Sequence, residues 1–186
     1  MYRSLNGTVN YVQVETIFRG GDIMKFKKAK IFWNVKNHHK EVCCIPYDDN
    51  YDYYAFLKKC HDNGFRQIII TSELMIQLMF YFVLKNKFLI YGISFMEEDE
   101  VLREEIEILL GKLAEDRGYF IELIEKIKFL SEESSIDIKR IYLKKRNEND
   151  EAEAFFLQAN GLIGINGDQY ESISRDISRQ IMEGLF

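Results

Sequence analysis

The sequence predicts an α/β fold, or a mixed α+β one, on a central and partly parallel sheet with flanking helices. Three observations predict it. Residues 41–95 read as strand, helix, strand, helix, strand with almost no slack, the order that builds a parallel, helix-covered sheet. Residues 97–131 carry one long helical pattern. Residues 137–165 read as an antiparallel meander of three strands, and a last helix follows it.

The N-terminal segment holds a strand-like stretch, Val9–Phe18, and then Arg19-Gly20-Gly21-Asp22-Ile23-Met24. One reading is an edge strand and a Gly-Gly turn. The other takes 19–23 as the translation of a purine-rich ribosome-binding site, with Met24 as the start. On that reading 1–23 is a weakly docked extension and 24–186 is the single domain. A natively expressed species retaining Met1–Ile23, seen by intact mass, excludes the second reading.

Lys28–Lys36 places Ile31, Trp33 and Val35 on one side and Phe32 on the other, as a strand does. After the turn Asn37-His38-His39, Lys40–Ile45 returns as the second arm of a hairpin. The first helix runs from about Asp52 to Asn63, with Tyr53, Phe56, Leu57 and Cys60 on its apolar stripe. Gly64 suits the left-handed position after the helix, with Phe65 as the accompanying hydrophobic contact. Arg66–Thr71 reads as a strand, Ser72 as the cap of a second helix, and Lys87–Phe95 as the next strand. From Leu74 to Leu84 only Gln77 is polar. This run is too short for a bilayer, which takes about 20 apolar residues, so it reads as a helix buried on both sides.

Between 97 and 131, Leu102, Ile106, Leu109, Leu113, Phe120, Leu123, Ile127 and Leu130 recur at three- and four-residue steps. Arg117-Gly118 breaks the pattern into a helical hairpin, unless one long helix runs through. Either form offers enough apolar stripe for a homodimer interface. Asp137–Lys145, Ala154–Ala159 and Leu162–Ile165 are the meander strands, with Asn160-Gly161 as a hairpin turn. Asp168 and Glu171 have capping-box spacing, and Tyr170, Ile173, Ile177 and Ile181 form the buried face of the last helix.

The 186 residues suit one domain; 47 % are hydrophobic, enough for a core. A net charge of −5 provides no bulk basic footprint for nucleic acid. Three cysteines do not make a disulfide framework, and no signal-like segment opens the chain, so a cytoplasmic location is expected. The abundance of Lys, Ile, Asn, Phe and Tyr suggests an AT-rich bacterial or phage genome.

Four constellations could carry chemistry. His38 or His39, Cys43 or Cys44, Cys60 and His61 are candidate zinc ligands. Against this, adjacent strand residues face opposite ways, so Cys43 and Cys44 do not serve together. If the early strands are parallel neighbours, Asp48, Asp49, Thr71, Ser72, Glu73, Ser94 and Glu97-Glu98-Asp99 share one rim. There Asp48 or Asp49 would hold Mg²⁺, and Thr71, Ser72 and Ser94 would receive phosphate. The strand Lys139-Arg140-Ile141-Tyr142-Leu143-Lys144-Lys145-Arg146 could grip a nucleic-acid backbone through Lys139, Arg140, Lys144, Lys145 and Arg146. The glutamates of the long helix read as a solvated face.

No glycine-rich phosphate loop or nucleophile elbow is present. The expected function is therefore a small binding or regulatory protein, of inhibitor or immunity type, acting through protein–protein contacts with no cofactor and no membrane. The alternative is a Mg²⁺-dependent phosphoester- or nucleotide-processing enzyme using the rim near Asp48 and Ser72.

Overall fold

The computed structural model describes residues 13–17, 23–36, 41–48, 50–97, 99–146, 152–166 and 169–185. Among these residues eight strands form one sheet: β1 (Gln13–Ile17), β2 (Ile23–Asn34), β3 (Glu41–Pro46), β4 (Phe65–Gln67), β5 (Leu89–Phe95), β6 (Ile138–Arg146), β7 (Ala152–Gln158) and β8 (Leu162–Asn166). Five α-helices accompany them: α1 (Tyr53–Asp62), α2 (Ser72–Phe80), α3 (Glu100–Glu115), α4 (Tyr119–Glu133) and α5 (Tyr170–Leu185). A π-helical turn, Tyr81–Lys85, continues α2.

The fold is mixed α+β, and every strand pairing among the described residues is antiparallel. This corrects the expectation of a partly parallel sheet. Strands β3 and β4 do run the same way, but on opposite edges of β2: Phe32 pairs with Cys43 on one side and Gln67 on the other. Strand–helix–strand order fixes direction, not adjacency, and here the preceding hairpin arm fills the gap. Among the described strands, β5 pairs with β6 alone, at the far edge of the path β1-β2-β8-β7-β6-β5.

The long strand β2 organises one half of the sheet. One edge takes β1 along Ile23–Lys27 and then β3 along Ala29–Asn34. The other takes β8 along Phe26–Lys30 and then β4 along Phe32–Asn34. Strand β4 ends where it meets the β7–β8 turn. There Gly161 has φ +75°, and a Cβ on it would stand 2.5 Å from the carbonyl oxygen of Ile68. A side chain at this position meets both the left-handed backbone penalty and a fixed backbone atom.

The local signals hold at several termini. Asp52 caps α1 by accepting from the Ala55 amide at 2.8 Å, and Gly64 follows the helix at φ +84°. At α2 the cap is Thr71, whose hydroxyl accepts from the Leu74 amide, rather than Ser72. Residues 116–118 divide the long pattern into α3 and α4, and Asp116 accepts from the Gly118 amide at 2.8 Å. The expected cap Asp168 and turn Asn37-His38-His39 lie outside the described residues.

The core lies on one face of the sheet. Ala29, Ile31, Val42, Cys44, Ile141, Leu143, Phe155, Leu157, Ile163 and Ile165 meet the buried stripes of α2, α3, α4 and α5 there. Phe155 anchors it, packed against Phe82 at 4.6 Å and Phe88 at 5.4 Å between ring centroids. Among the described residues, no helix is long and apolar enough to cross a membrane. A second, smaller cluster on the other face joins Phe26, Ala154 and Phe156 with Tyr142, Ala152 and Leu162.

Candidate binding surface

Helix α1 is the described helix that packs on that second face, at the end formed by β3, β2 and β4. Phe32 of β2 meets Phe56 at 5.9 Å and Phe65 at 6.4 Å, both edge-on. Tyr47 packs on Tyr53 and Phe56. Beneath the helix lies Lys30, fully buried. Its ammonium donates to the Tyr53 hydroxyl at 3.1 Å and the Asn160 carbonyl at 2.9 Å. It also lies 4.9 Å from the centre of the Tyr53 ring. Tyr53 donates onward to Gln67, and Gln67 donates to Asn160. These bonds tie α1, β2, β4 and the β7–β8 turn together. They satisfy most of what a buried ammonium demands without a carboxylate.

Between α1 and β4 runs a shallow groove of about 260 Å³, lined by Phe32, Leu57, Lys58, His61, Phe65, Arg66 and Gln67. Its floor is apolar, and its rim carries Lys58, His61 and Arg66, with no carboxylate in the lining. Tyr54 precedes Leu57, Lys58 and His61 on the same helical stripe. Tyr54 is 80 % exposed and nearby Tyr51 is 71 % exposed, unusual values for large aromatic side chains.

The thiols belong to two sides of the sheet, as their adjacency requires. Cys44 faces α5, 3.6 Å from the Ser178 hydroxyl. Cys43 lies on the α1 side against the Phe32 carbonyl. Burial pushes Cys43 up to about 12, with Cys44, Glu41 and Cys60 adding to it. Burial likewise pushes Cys44 and Cys60 up to about 11. Burial thus holds all three thiols above the ordinary range, which disfavours the free thiolate that nucleophilic attack needs. No group of three or more His, Cys, Asp or Glu among the described residues is placed to hold a metal. His61 is exposed at the end of α1, and His38 and His39 lie outside the described residues.

The adjacent parallel strands that would gather the carboxylate rim are absent among the described residues. Asp48 caps its own turn, accepting from the Asn50 amide at 2.9 Å. It follows β3, whereas Ser72 reaches the start of β6, and β2, β8 and β7 lie between those strands. Ser72 accepts from the Ile138 amide at 2.9 Å and donates to Asp137 at 2.7 Å, and Asp137 also accepts from Ser131. Ser72 thus fastens α2 and α4 to β6. Thr71 is occupied as a helix cap, Ser94 pairs in register with Arg140, and Asp49 lies outside the described residues.

The basic strand splits by face. Arg140 and Lys144 lie with Tyr142 on the outer side of β6, and Lys145 on the core side is paired with Glu153 at 2.9 Å. Lys139 is exposed, and the Arg146 side chain lies outside the described residues.

Sequence reading missed the groove. Its one visible signal was that Tyr51 and Tyr54 fall off the apolar stripe of α1. Phe65, Arg66 and Gln67 carried no such signal, because their place beside α1 depends on β4 crossing to the far edge of β2. No family model, curated protein or solved structure matches this chain.

Proposed function

We propose that this is a non-catalytic binding protein, and that the α1–β4 groove receives an acidic segment of a protein partner carrying an apolar anchor. The observation that carries this reading is the groove itself: an apolar floor of Phe32, Leu57 and Phe65 beneath a rim of Lys58, His61 and Arg66, in a chain of net charge −5. A basic rim on an acidic protein selects for opposite charge and steers its approach. Tyr51 and Tyr54 add rigid aromatic surface beside it, the residue type that most often dominates contact energy. The polar network under α1 holds that surface in one shape before any partner arrives, which lowers the cost of ordering it.

The test is selection from a displayed random-peptide library on the wild-type protein. Peptides with Asp or Glu around a Leu, Phe or Trp should emerge. They should shift the amide resonances of Leu57, Lys58, His61 and Arg66, and lose at least tenfold in affinity on the folded Lys58→Glu/Arg66→Glu variant. Selected peptides that bind this variant unchanged, or shift residues elsewhere, would overturn the reading.

A further inference from the structure

On the groove reading above, we propose that the acidic partner is a second copy of this chain, whose α3–α4 hairpin lays its outer face across the α1–β4 groove. Charge is unevenly divided along the sequence. Residues 97–134, which hold the hairpin, carry 13 aspartates and glutamates against 5 lysines and arginines, whereas the rest of the chain carries 17 against 20. One molecule thus holds an acidic element and, at the groove, a basic rim. Surfaces of opposite sign on identical chains draw those chains together head to tail.

The hairpin also supplies the apolar anchor. Val101, Ile108 and Phe129 lie off the buried stripes of α3 and α4, and each is more than half exposed. Two ion pairs span the seam between the helices, Glu105 with Lys126 at 2.7 Å and Lys112 with Glu122 at 3.9 Å. Val101 and Ile108 share the stripe of Glu105 and Lys112, and Phe129 follows Lys126 by three residues. The three apolar side chains therefore stand along the solvent side of that seam. Glu104 lies four residues before Ile108 and Glu125 four before Phe129, both exposed. Pairing across the seam neutralises Glu105, Glu122, Lys112 and Lys126. Glu104, Glu125 and Glu132, against Lys128, then set a negative sign beside the anchors.

The two surfaces fit in size as well as in charge. The groove, about 260 Å³, has room for one branched side chain such as Ile108 on its floor of Phe32, Leu57 and Phe65. Tyr54, Lys58 and His61 extend along α1 at steps of four and three residues, about 10 Å in all. Val101 and Ile108 span the same length of α3. The carboxylates beside the anchors then face Lys58 and Arg66. Two hairpins packed on each other would instead set like charges opposite, which disfavours a symmetric dimer through this face. A head-to-tail contact joins unlike surfaces, so it continues into longer assemblies unless a ring closes.

Sedimentation velocity of the full chain from about 2 to about 200 µM covers the range in which a small interface associates. The average sedimentation coefficient should rise with concentration, and association should weaken at least threefold between about 0.05 and about 0.5 M salt. Lys58→Glu/Arg66→Glu and Ile108→Gln/Phe129→Gln, all at exposed positions, should each weaken self-association at least tenfold. Mixed one to one, these two variants should associate again, because the first keeps its hairpin and the second its groove. That mixed complex should stop at two chains. If either double variant does not fold, Glu104→Lys alone should still lose at least threefold. Mixed variants that stay apart overturn the proposal. Undiminished self-association of Lys58→Glu/Arg66→Glu also overturns it, by placing the contact between two hairpins or elsewhere. A wild type that stays monomeric overturns it as well, and acidic peptides that still bind its groove would leave the groove reading standing. Monomeric wild type that binds a Leu/Lys amphipathic peptide at Ile108 and Phe129 would give the face to a foreign basic helix and reject the second copy.

Discussion

On strand β6, Ile141 and Leu143 face the helices and are fully buried, whereas Arg140, Tyr142 and Lys144 on the other side lie under no described helix. The two faces alternate residue by residue, so neighbouring side chains answer to different demands. The inner face is apolar, and its polar groups are tied to structure, as with Ser72, Ser174 and Ser178. The outer face carries half-buried Arg140, Tyr142 and Lys144 beside the buried rings of Phe26 and Phe156. Close packing against helices and the placing of charge are thus divided between the two sides of strand β6.

Substitutions in adjacent positions test that division. The largest contrast is expected between Leu143→Ala and Lys144→Ala. The first opens a cavity against the helices and should cost about 3 kcal/mol. The second removes a half-buried surface contact and should stay within about 0.5 kcal/mol. Urea unfolding of both variants measures the difference, and equal losses would show that the outer face is packed as tightly as the core. Gly161→Ala comes next. It forces a left-handed backbone on alanine and drives its Cβ toward the Ile68 carbonyl, at a cost of about 2 kcal/mol. Its signature in hydrogen exchange should be faster opening at β4 than at β6. Uniform loosening would place the strain elsewhere.

Ser72→Ala should cost about 1.5 kcal/mol, because the Ile138 amide loses its acceptor inside the protein. Retention of full stability would mean that water replaces the hydroxyl. The smallest effect is electrostatic. The buried thiols remain protonated in the folded protein to about pH 11 or 12, whereas in the unfolded chain they ionise near pH 8.5. The stability they contribute is whole below the unfolded value and is lost as pH climbs through the folded ones. Chemical unfolding at pH 8, 9 and 10 should therefore show a decline that is shallower in Cys44→Ala. Identical slopes would remove the Cys44 thiol from the cause.

Much of the local structure was legible because it is written in short-range chemistry. The stripes Leu102 to Leu130 and Tyr170 to Ile181 marked helices α3, α4 and α5, and Asn160-Gly161 marked the β7–β8 turn. Adjacent Cys43 and Cys44 announced opposite faces. Pairing was not legible in the same way. Whether β3 sits beside β4 or across β2 from it depends on which edge of β2 each strand takes, and the choice of edge leaves no periodic trace in the sequence. The candidate groove inherits that difficulty: Leu57 and Lys58 come from one element, Phe65 and Arg66 from another, and Phe32 from a third. The basic strand could be seen, but the division of its cations between two faces required the register with β7.

The sharing of strand β2 has a consequence for how this chain is made. Its hairpin with β3 is complete early in synthesis, yet the turn that meets Lys30 from the other side arrives 130 residues later, with Asn160. An unfilled strand edge is a template for pairing with another chain. The nascent protein therefore carries an aggregation hazard along β2, and removes it only once the β7–β8 turn and β8 have left the ribosome.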